Sequence, residues 1–160
     1  MTPSEIIQLV SASFKEAIIS DNLEGSIACL GIDEKLFYEV AKLLHEDERT
    51  YFDSLSCLTG IDNGPDEGTM EVIYNLYSIP HDLHLMLQVK IGRENPELDS
   101  ISDIWKAAEW HEREAYDMTG IRFKNHPDLR RILMPEDWEG YPLRKDYQEQ
   151  EIYHDIKVKY

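Results

Sequence analysis

Residues 70–92 read M-E-V-I-Y-N-L-Y-S-I-P-H-D-L-H-L-M-L-Q-V-K-I-G, and this stretch decides the fold class. Val72, Tyr74 and Leu76 alternate with more polar neighbours, Pro80-His81-Asp82 supplies a turn, and the alternation resumes at Leu85, Leu87, Val89 and Ile91. A period of two places every second side chain on one face, so the pattern predicts a β-hairpin with one buried side. Working outward, Ile6, Val10, Phe14 and Ile18 recur every four residues after Pro3-Ser4, which predicts an amphipathic helix over 4–20. L-E-G-S-I-A-C-L-G-I at 23–32 reads as a short strand. Asp33 then stands as a cap for a helix carrying Leu36, Val40, Leu43 and Leu44 and ending near His45. Residues 51–61 mix apolar and small side chains and are open to a strand or a helical turn, whereas D-N-G-P-D-E-G at 62–68 reads as an exposed loop. Downstream of the hairpin, Ile104, Trp105 and Ala108 start a helix over 103–118 that runs to a stop at Gly120. Helix, strand, helix, strands, helix implies an α+β fold: an antiparallel or mixed sheet with helices packed on one face.

Beyond Gly120 the pattern changes. H-P-D-L-R-R-I-L-M-P-E-D-W-E-G-Y-P-L-R-K-D has three prolines and no sustained periodicity, so a compact body over 1–120 is expected to be followed by an extended, turn-rich C-terminal arm over 121–160 within one structural domain. Leu129, Ile132, Leu133, Met134 and Trp138 make that arm too apolar for a bare loop, and lying along a neighbouring protein would satisfy it.

The 160 residues suit one domain, and a 42% hydrophobic, 30% charged composition is that of a globular chain. The formal net charge is −16, and it is segregated: residues 1–110 hold 21 acids against 7 bases, while residues 111–146 hold 8 acids against 7 bases. Such a balance argues against nucleic acid, whose phosphates need clustered Lys and Arg. No apolar run is long enough to span a bilayer, and the Met1 region lacks the basic flank and apolar block of a secretory signal, so a cytoplasmic location is expected. Cys29 and Cys57 are too few for a four-thiolate cluster and are expected to be buried, reduced thiols.

Candidate chemistry concentrates in one place without assembling a known site. The glycine-rich loops that cradle dinucleotides or triphosphates are absent. His111-Glu112 begins like a zinc-protease motif, but Ala115 stands where the second histidine is needed. His81 and His84 flank the hairpin turn and read as a surface pair. Glu112, Glu114 and Asp117 form a group of carboxylates with Arg113, Arg122, Arg130, Arg131 and Arg144 close in sequence; arginine–carboxylate pairing is a more economical use of them than acid/base catalysis. A metal or acid/base enzyme built on His111, Glu112, Glu114 and His126 is the rival reading.

Three blocks resemble a known family. W-H-E-R-E-A-Y-D-M-T-G-I at 110–121, H-P-D-L-R-R-I-L at 126–133 and P-L-R-K-D at 142–146 occur in the order and spacing of the C subunits of respiratory complex I, the proton-pumping NADH:quinone oxidoreductase. F-D-S-L-S-C-L-T-G-I-D at 52–62 and V-I-Y-N-L-Y-S-I at 72–79 also look like that family, and residues 1–45 are only loosely similar. The resemblance implies a peripheral-arm protein with no cofactor of its own. It would pack against the quinone-site D subunit and the iron–sulfur B and I subunits, on the cytoplasmic face of the inner membrane, with iron–sulfur clusters, FMN, NADH and quinone held by the partners. Glu112, Arg113, Glu114, Asp117, Gly120, His126, Pro127, Arg130, Arg131, Gly140, Pro142, Arg144, Lys145 and Asp146 match the signature, and the resemblance implies that they fix the arm and its docking rather than perform chemistry. Replacing Arg130 or Arg144 by Ala should then weaken assembly of a folded domain. Asn125 stands where the family usually has Gly, and Asn tolerates the positive φ such a turn requires. Related subunits serve ferredoxin-dependent complexes of chloroplasts and cyanobacteria and membrane-bound hydrogenases, so the electron donor stays open.

Overall fold

The computed structural model describes residues 1–157; the last three residues of the expected arm, 158–160, lie outside the described residues. The chain forms α1 (Pro3–Ser13), β1 (Ile18–Asn22), β2 (Ala28–Ile32), α2 (Phe37–Glu46), β3 (Ser54–Gly64), β4 (Thr69–Ser78), β5 (Leu83–Gly92), β6 (Glu97–Asp99), α3 (Ala108–Thr119), β7 (Arg122–Lys124), β8 (Ile152–Tyr153) and β9 (Ile156–Lys157). Five strands make a mixed sheet in the order β1-β2-β5-β4-β3, in which β2 runs parallel to β5 and the other pairs are antiparallel.

The hairpin is the centre of this sheet, with Val72 opposite Val89, Tyr74 opposite Leu87 and Leu76 opposite Leu85. Met70, Val72, Tyr74 and Leu76 are buried and the residues between them half-buried, so one face carries the core. The helices cover that face. Phe37 of α2 lies 4.5 Å from the Tyr74 ring, Ile6 and Val10 of α1 join the core, and α3 packs over Gly60 on β3, where a Cβ would meet Ala115 and Ile121. The α+β expectation with helices on one face is borne out, and the sheet is mixed.

Several boundaries differ from expectation. The first helix ends at Ser13, not residue 20: Phe14 caps it, Glu16 takes φ 68°, and Ile18 pairs with Ile32 in the sheet. Phe14 and Ile18 still pack against the core, so the spacing of four recorded burial correctly while strand pairing set the conformation. Asp33 does not cap α2. Its carboxylate accepts from the Lys35 N–H at 2.9 Å, one turn before the helix begins at Phe37. The third helix starts at Ala108 rather than 103 and ends, as expected, on Gly120, at φ 81°.

Within the open stretch 51–61 the strand begins at Ser54 and runs on through 62–64, so the expected exposed loop shrinks to the turn at 65–68. Asp62 is buried there because a guanidinium neutralises it. The cysteines also depart from expectation: a bulge between Leu55 and Cys57 sends Cys57 to the open face, where it is exposed, and Cys29 is half-buried. From Asn125 to Glu151 the chain is turn-rich, but it folds back across the body instead of running free of it.

Candidate docking surface

The helix α3 is the spine of the site, because Glu109, Arg113, Asp117, Met118 and Thr119 all hold the returning chain. Asp117 faces inward on it, fully buried. Its Oδ1 accepts from Arg131 Nη1 at 2.7 Å, and its Oδ2 accepts from the backbone N–H groups of Ile132, Leu133 and Met134 at 3.0, 2.7 and 2.8 Å. Burial alone would push this carboxyl up; the Met134 N–H, the Arg131 guanidinium and the other two N–H groups outweigh burial and hold it below the ordinary range. A single buried charge thus orders four consecutive residues of an otherwise irregular segment.

The other contacts follow the helix. Arg113 donates from Nε to the Arg130 carbonyl and from Nη2 to the Arg131 carbonyl, and its guanidinium lies 5.5 Å from the Trp110 ring. Arg131 goes on to donate to the carbonyls of Trp138 and Gly140, both at 2.9 Å. Leu143 donates its N–H to the Met118 carbonyl, and Arg144 donates Nε to the Thr119 carbonyl at 2.7 Å. The Tyr141 ring lies between the Arg131 and Arg144 guanidinium groups, 5.3 and 4.9 Å from its centroid. Tyr141 also presses on Gly120, where a Cβ would stand 2.7 Å from its Cε2.

A second clamp closes the segment onto β3. Asp62 accepts from Arg93 Nε at 2.7 Å and Arg93 Nη2 at 3.0 Å, from the Lys145 N–H at 2.9 Å and from the Gly64 N–H at 3.0 Å. The Arg93 guanidinium, against the opposing effect of burial, holds Asp62 well below the usual carboxylate range. Arg93 Nη2 reaches on to Asp146 at 2.6 Å, and Lys145 Nζ donates to the Asn63 carbonyl.

His126 and Glu112 make the third junction. Asn125 adopts φ 64°, as its replacement of glycine requires, and leads into a turn in which His126 Nδ1 accepts from the Asp128 N–H at 3.0 Å. Its Nε2 lies 3.0 Å from the Glu109 carbonyl, so the hydrogen bonds assign the neutral ring with the proton on Nε2. Glu112 accepts from the Ser100 hydroxyl at 2.5 Å and the Ile101 N–H at 2.8 Å, and burial pushes its carboxyl up to about 7.

The expected pairing of the α3 carboxylates with nearby arginines therefore holds only for Asp117 with Arg131. Glu112 is buried without a guanidinium, and Glu114 is exposed. Arg113 and Arg144 serve carbonyls instead, and Arg122 lies 3.8 Å from Glu97. Arg130 and Pro127 are exposed, Arg130 pairing with Asp128 in its own turn, while Pro142 is half-buried beside Tyr141. Sequence reasoning missed Asp62, Arg93 and Tyr141. The available signal was that the family-like stretch at 52–62 ends on Asp62.

Three large apolar side chains on or next to this framework stay exposed. Trp110, Leu133 and Leu143 are 60, 62 and 62% exposed, and all three attach along the same helix. Their anchor points, from residue 110 to 118, span about 12 Å at 1.5 Å per residue. Among the described residues no helix is long and apolar enough to cross a membrane.

Residues 30–153 match the family described as the 30 kDa subunit of the respiratory-chain NADH dehydrogenase. The C subunit of NADH-quinone oxidoreductase from Chloroherpeton thalassium is 52% identical over 76% of this chain, and the chain spans 50% of that relative's length. The C subunit from Chlorobium phaeobacteroides is 44% identical, over 81% of this chain and 78% of its own. Among solved structures, a trypsin-resistant fragment of Nqo5 superposes with a TM-score of 0.65 at 28% identity, over 81% of this chain and all of that one. A chain of the membrane-bound sulfane sulfur reductase, an archaeal respiratory membrane complex, shares the fold with a TM-score of 0.75 at 22% identity, over 91% of this chain and 85% of that one.

Proposed function

Because the chain belongs to the family of the 30 kDa subunit of the respiratory-chain NADH dehydrogenase, we propose that it is a structural component of the peripheral arm of an NADH:quinone oxidoreductase. In this reading it holds no redox group of its own. Iron–sulfur clusters, FMN, NADH and quinone belong to partner chains, and this chain docks beside the quinone-site D subunit and the iron–sulfur B and I subunits at the cytoplasmic face of the inner membrane.

The observation that carries the reading is the pinned segment 130–146. Its irregular backbone is ordered by two buried carboxylates, Asp117 and Asp62, while Leu133 and Leu143 on it and Trp110 on α3 stay exposed. Ordering a surface before it meets its partner reduces the entropy cost of association, and an exposed Trp beside Arg, as Trp110 stands beside Arg113, is the composition of a binding hot spot. The inward-facing signature residues, Asp117, Arg131 and Arg144 among them, act as the scaffold of that surface, and the exposed residues, Trp110, Leu133, Leu143 and Arg130, make the contact.

The test is to tag the C-terminus, solubilise membranes in mild detergent and identify the co-purifying chains by mass spectrometry. Recovery of quinone-site and iron–sulfur subunits supports the proposal. A hydrogenase-type or ferredoxin-linked set of partners would move the chain to a related complex, and a chain recovered alone would overturn the scaffold reading.

A further inference from the structure

Glu112 is a fully buried carboxylate at the third junction, and its hydrogen bonds go to Ser100 and Ile101 rather than to the returning segment 130–146. Among the described residues no Lys or Arg pairs with it, and the nearest basic group is His126, whose Nε2 lies 3.9 Å away and is directed at the Glu109 carbonyl. The other titratable groups that bear on it are Asp103 from the loop before α3, Glu109 from its own helix and Tyr74 from β4. Tyr74 is neutral, and its buried hydroxyl has no partner among the described residues. A buried anion without a counter-charge is costly, and such a group holds a proton near neutral pH, in line with a carboxyl pushed up to about 7.

The surroundings give that proton a path. Ser100 Oγ stands 2.5 Å from Glu112 Oε2 and 2.8 Å from Ser102 Oγ. Both serines line a cleft of about 280 Å³ together with Tyr38, Asp99, Asp103 and Asn125. A serine hydroxyl has one proton to donate, so the chain has two directions. With Glu112 ionised, Ser102 donates to Ser100 and Ser100 to the carboxylate. With Glu112 protonated, the acid donates to Ser100 and Ser100 to Ser102. To pass between them, a hydronium at the cleft gives its excess proton to Ser102 and returns to water, Ser102 passes its own proton to Ser100, and Ser100 passes its own to Oε2. The net change is one proton from solvent, converting a carboxylate to a carboxylic acid.

We propose that Glu112 is a proton-operated clamp on the 100–103 loop, filled and emptied from the cleft through Ser102 and Ser100. The ionised carboxylate grips the loop through the Ser100 hydroxyl and the Ile101 N–H, because hydrogen bonds to a charged acceptor are about twice as strong as neutral ones. The protonated acid holds the same groups weakly. The loop forms one wall of the cleft, and Tyr38 closes toward it by donating to Asp103 at 2.6 Å. The clamp therefore tightens that wall as pH rises and loosens it as pH falls. It acts on the cleft wall and not on the exposed side chains Trp110, Leu133 and Leu143.

The experiment is a pH titration of the purified full-length chain by NMR, following the carboxyl carbon of Glu112, assigned by its loss in Glu112→Gln, together with the Ile101 amide. The expected result is a shared midpoint between about pH 6 and 8, against an ordinary glutamate value of about 4.3. In Glu112→Gln the Ile101 amide should no longer move. Ser100→Ala keeps the carboxyl but removes a donor to its charged form, and should raise the midpoint by up to about tenfold in proton affinity. A Glu112 midpoint below about pH 5, an Ile101 amide that does not follow it, or an unchanged midpoint in Ser100→Ala would each overturn the proposal.

Discussion

Arg131 reaches back fourteen residues to place Nη1 2.7 Å from Asp117 Oδ1, while the three residues that follow Arg131 donate their N–H groups to the other oxygen of the same carboxylate. One side chain on a helix thereby replaces the missing regular structure of a whole segment. Asp117→Asn removes the charge and turns one acceptor into a donor, so either Arg131 or the N–H triplet loses its partner inside the protein. The expected cost is about 2–4 kcal/mol in chemical denaturation, with new protease cleavage in 130–144. The double mutant Asp117→Asn with Arg131→Ala should cost less than the sum of the two single mutants, because the two side chains share one interaction.

The pH dependence of stability has two limbs with opposite signs. Asp62 and Asp117 titrate below their unfolded value of about 3.9, so their contribution is complete above that pH and is lost as pH falls through their folded values. Glu112 titrates above its unfolded value, so the folded state binds the extra proton between about 4.3 and about 7. Its contribution is present below that window and is lost as pH rises through it, on the order of 3 kcal/mol. Thermal or urea unfolding across pH 2–9 should show highest stability near pH 5. Glu112→Gln should flatten the neutral limb and leave the acid limb in place.

Gly120 combines a left-handed backbone, φ 81°, with a Tyr141 ring over the space a side chain would fill. Gly120→Ala must strain the helix end and displace Tyr141 from between Arg131 and Arg144. A loss of more than about 1 kcal/mol is expected, read as a lowered unfolding midpoint. Asn at this position would relieve only the backbone part, so it should not restore stability.

What the sequence made legible was local. Alternation from Val72 to Ile91 predicted the hairpin, spacing from Leu36 to Leu44 predicted α2, and Gly120 marked the stop of α3. The overrun of α1 had a non-local cause, since Ile18 continues a helical stripe yet is claimed by Ile32 across the sheet. Asp62 was hidden for a similar reason: Asp-Asn-Gly-Pro reads as a turn until Arg93, 31 residues on, supplies its charge. At the site, Glu112 and Asp117 were visible as candidates, but their partners were not. Asp117 is served mainly by backbone N–H groups, which every residue but proline offers, and so leaves no mark in residue type.

The signature arginines separate into two classes that mutation can tell apart. Arg144 is part of the fold, donating to the Thr119 carbonyl and covering Tyr141, so Arg144→Ala should destabilise the isolated chain as well as the assembly. Arg130 is exposed and, among the described residues, its guanidinium pairs with Asp128 two residues away, so Arg130→Ala should leave unfolding unchanged and alter only the recovery of partners. Trp110→Ala belongs with Arg130: its ring is largely exposed in the isolated chain and would be covered in the proposed complex. A loss of about 2 kcal/mol or more of binding is expected for it, about thirtyfold in affinity, with the unfolding midpoint held. Leu133→Ala and Leu143→Ala should act in the same direction and less strongly. Full recovery of partners with all three apolar side chains removed would place the docking surface elsewhere on the body, and an equal loss of stability in Arg130→Ala and Arg144→Ala would remove the distinction between scaffold and contact residues.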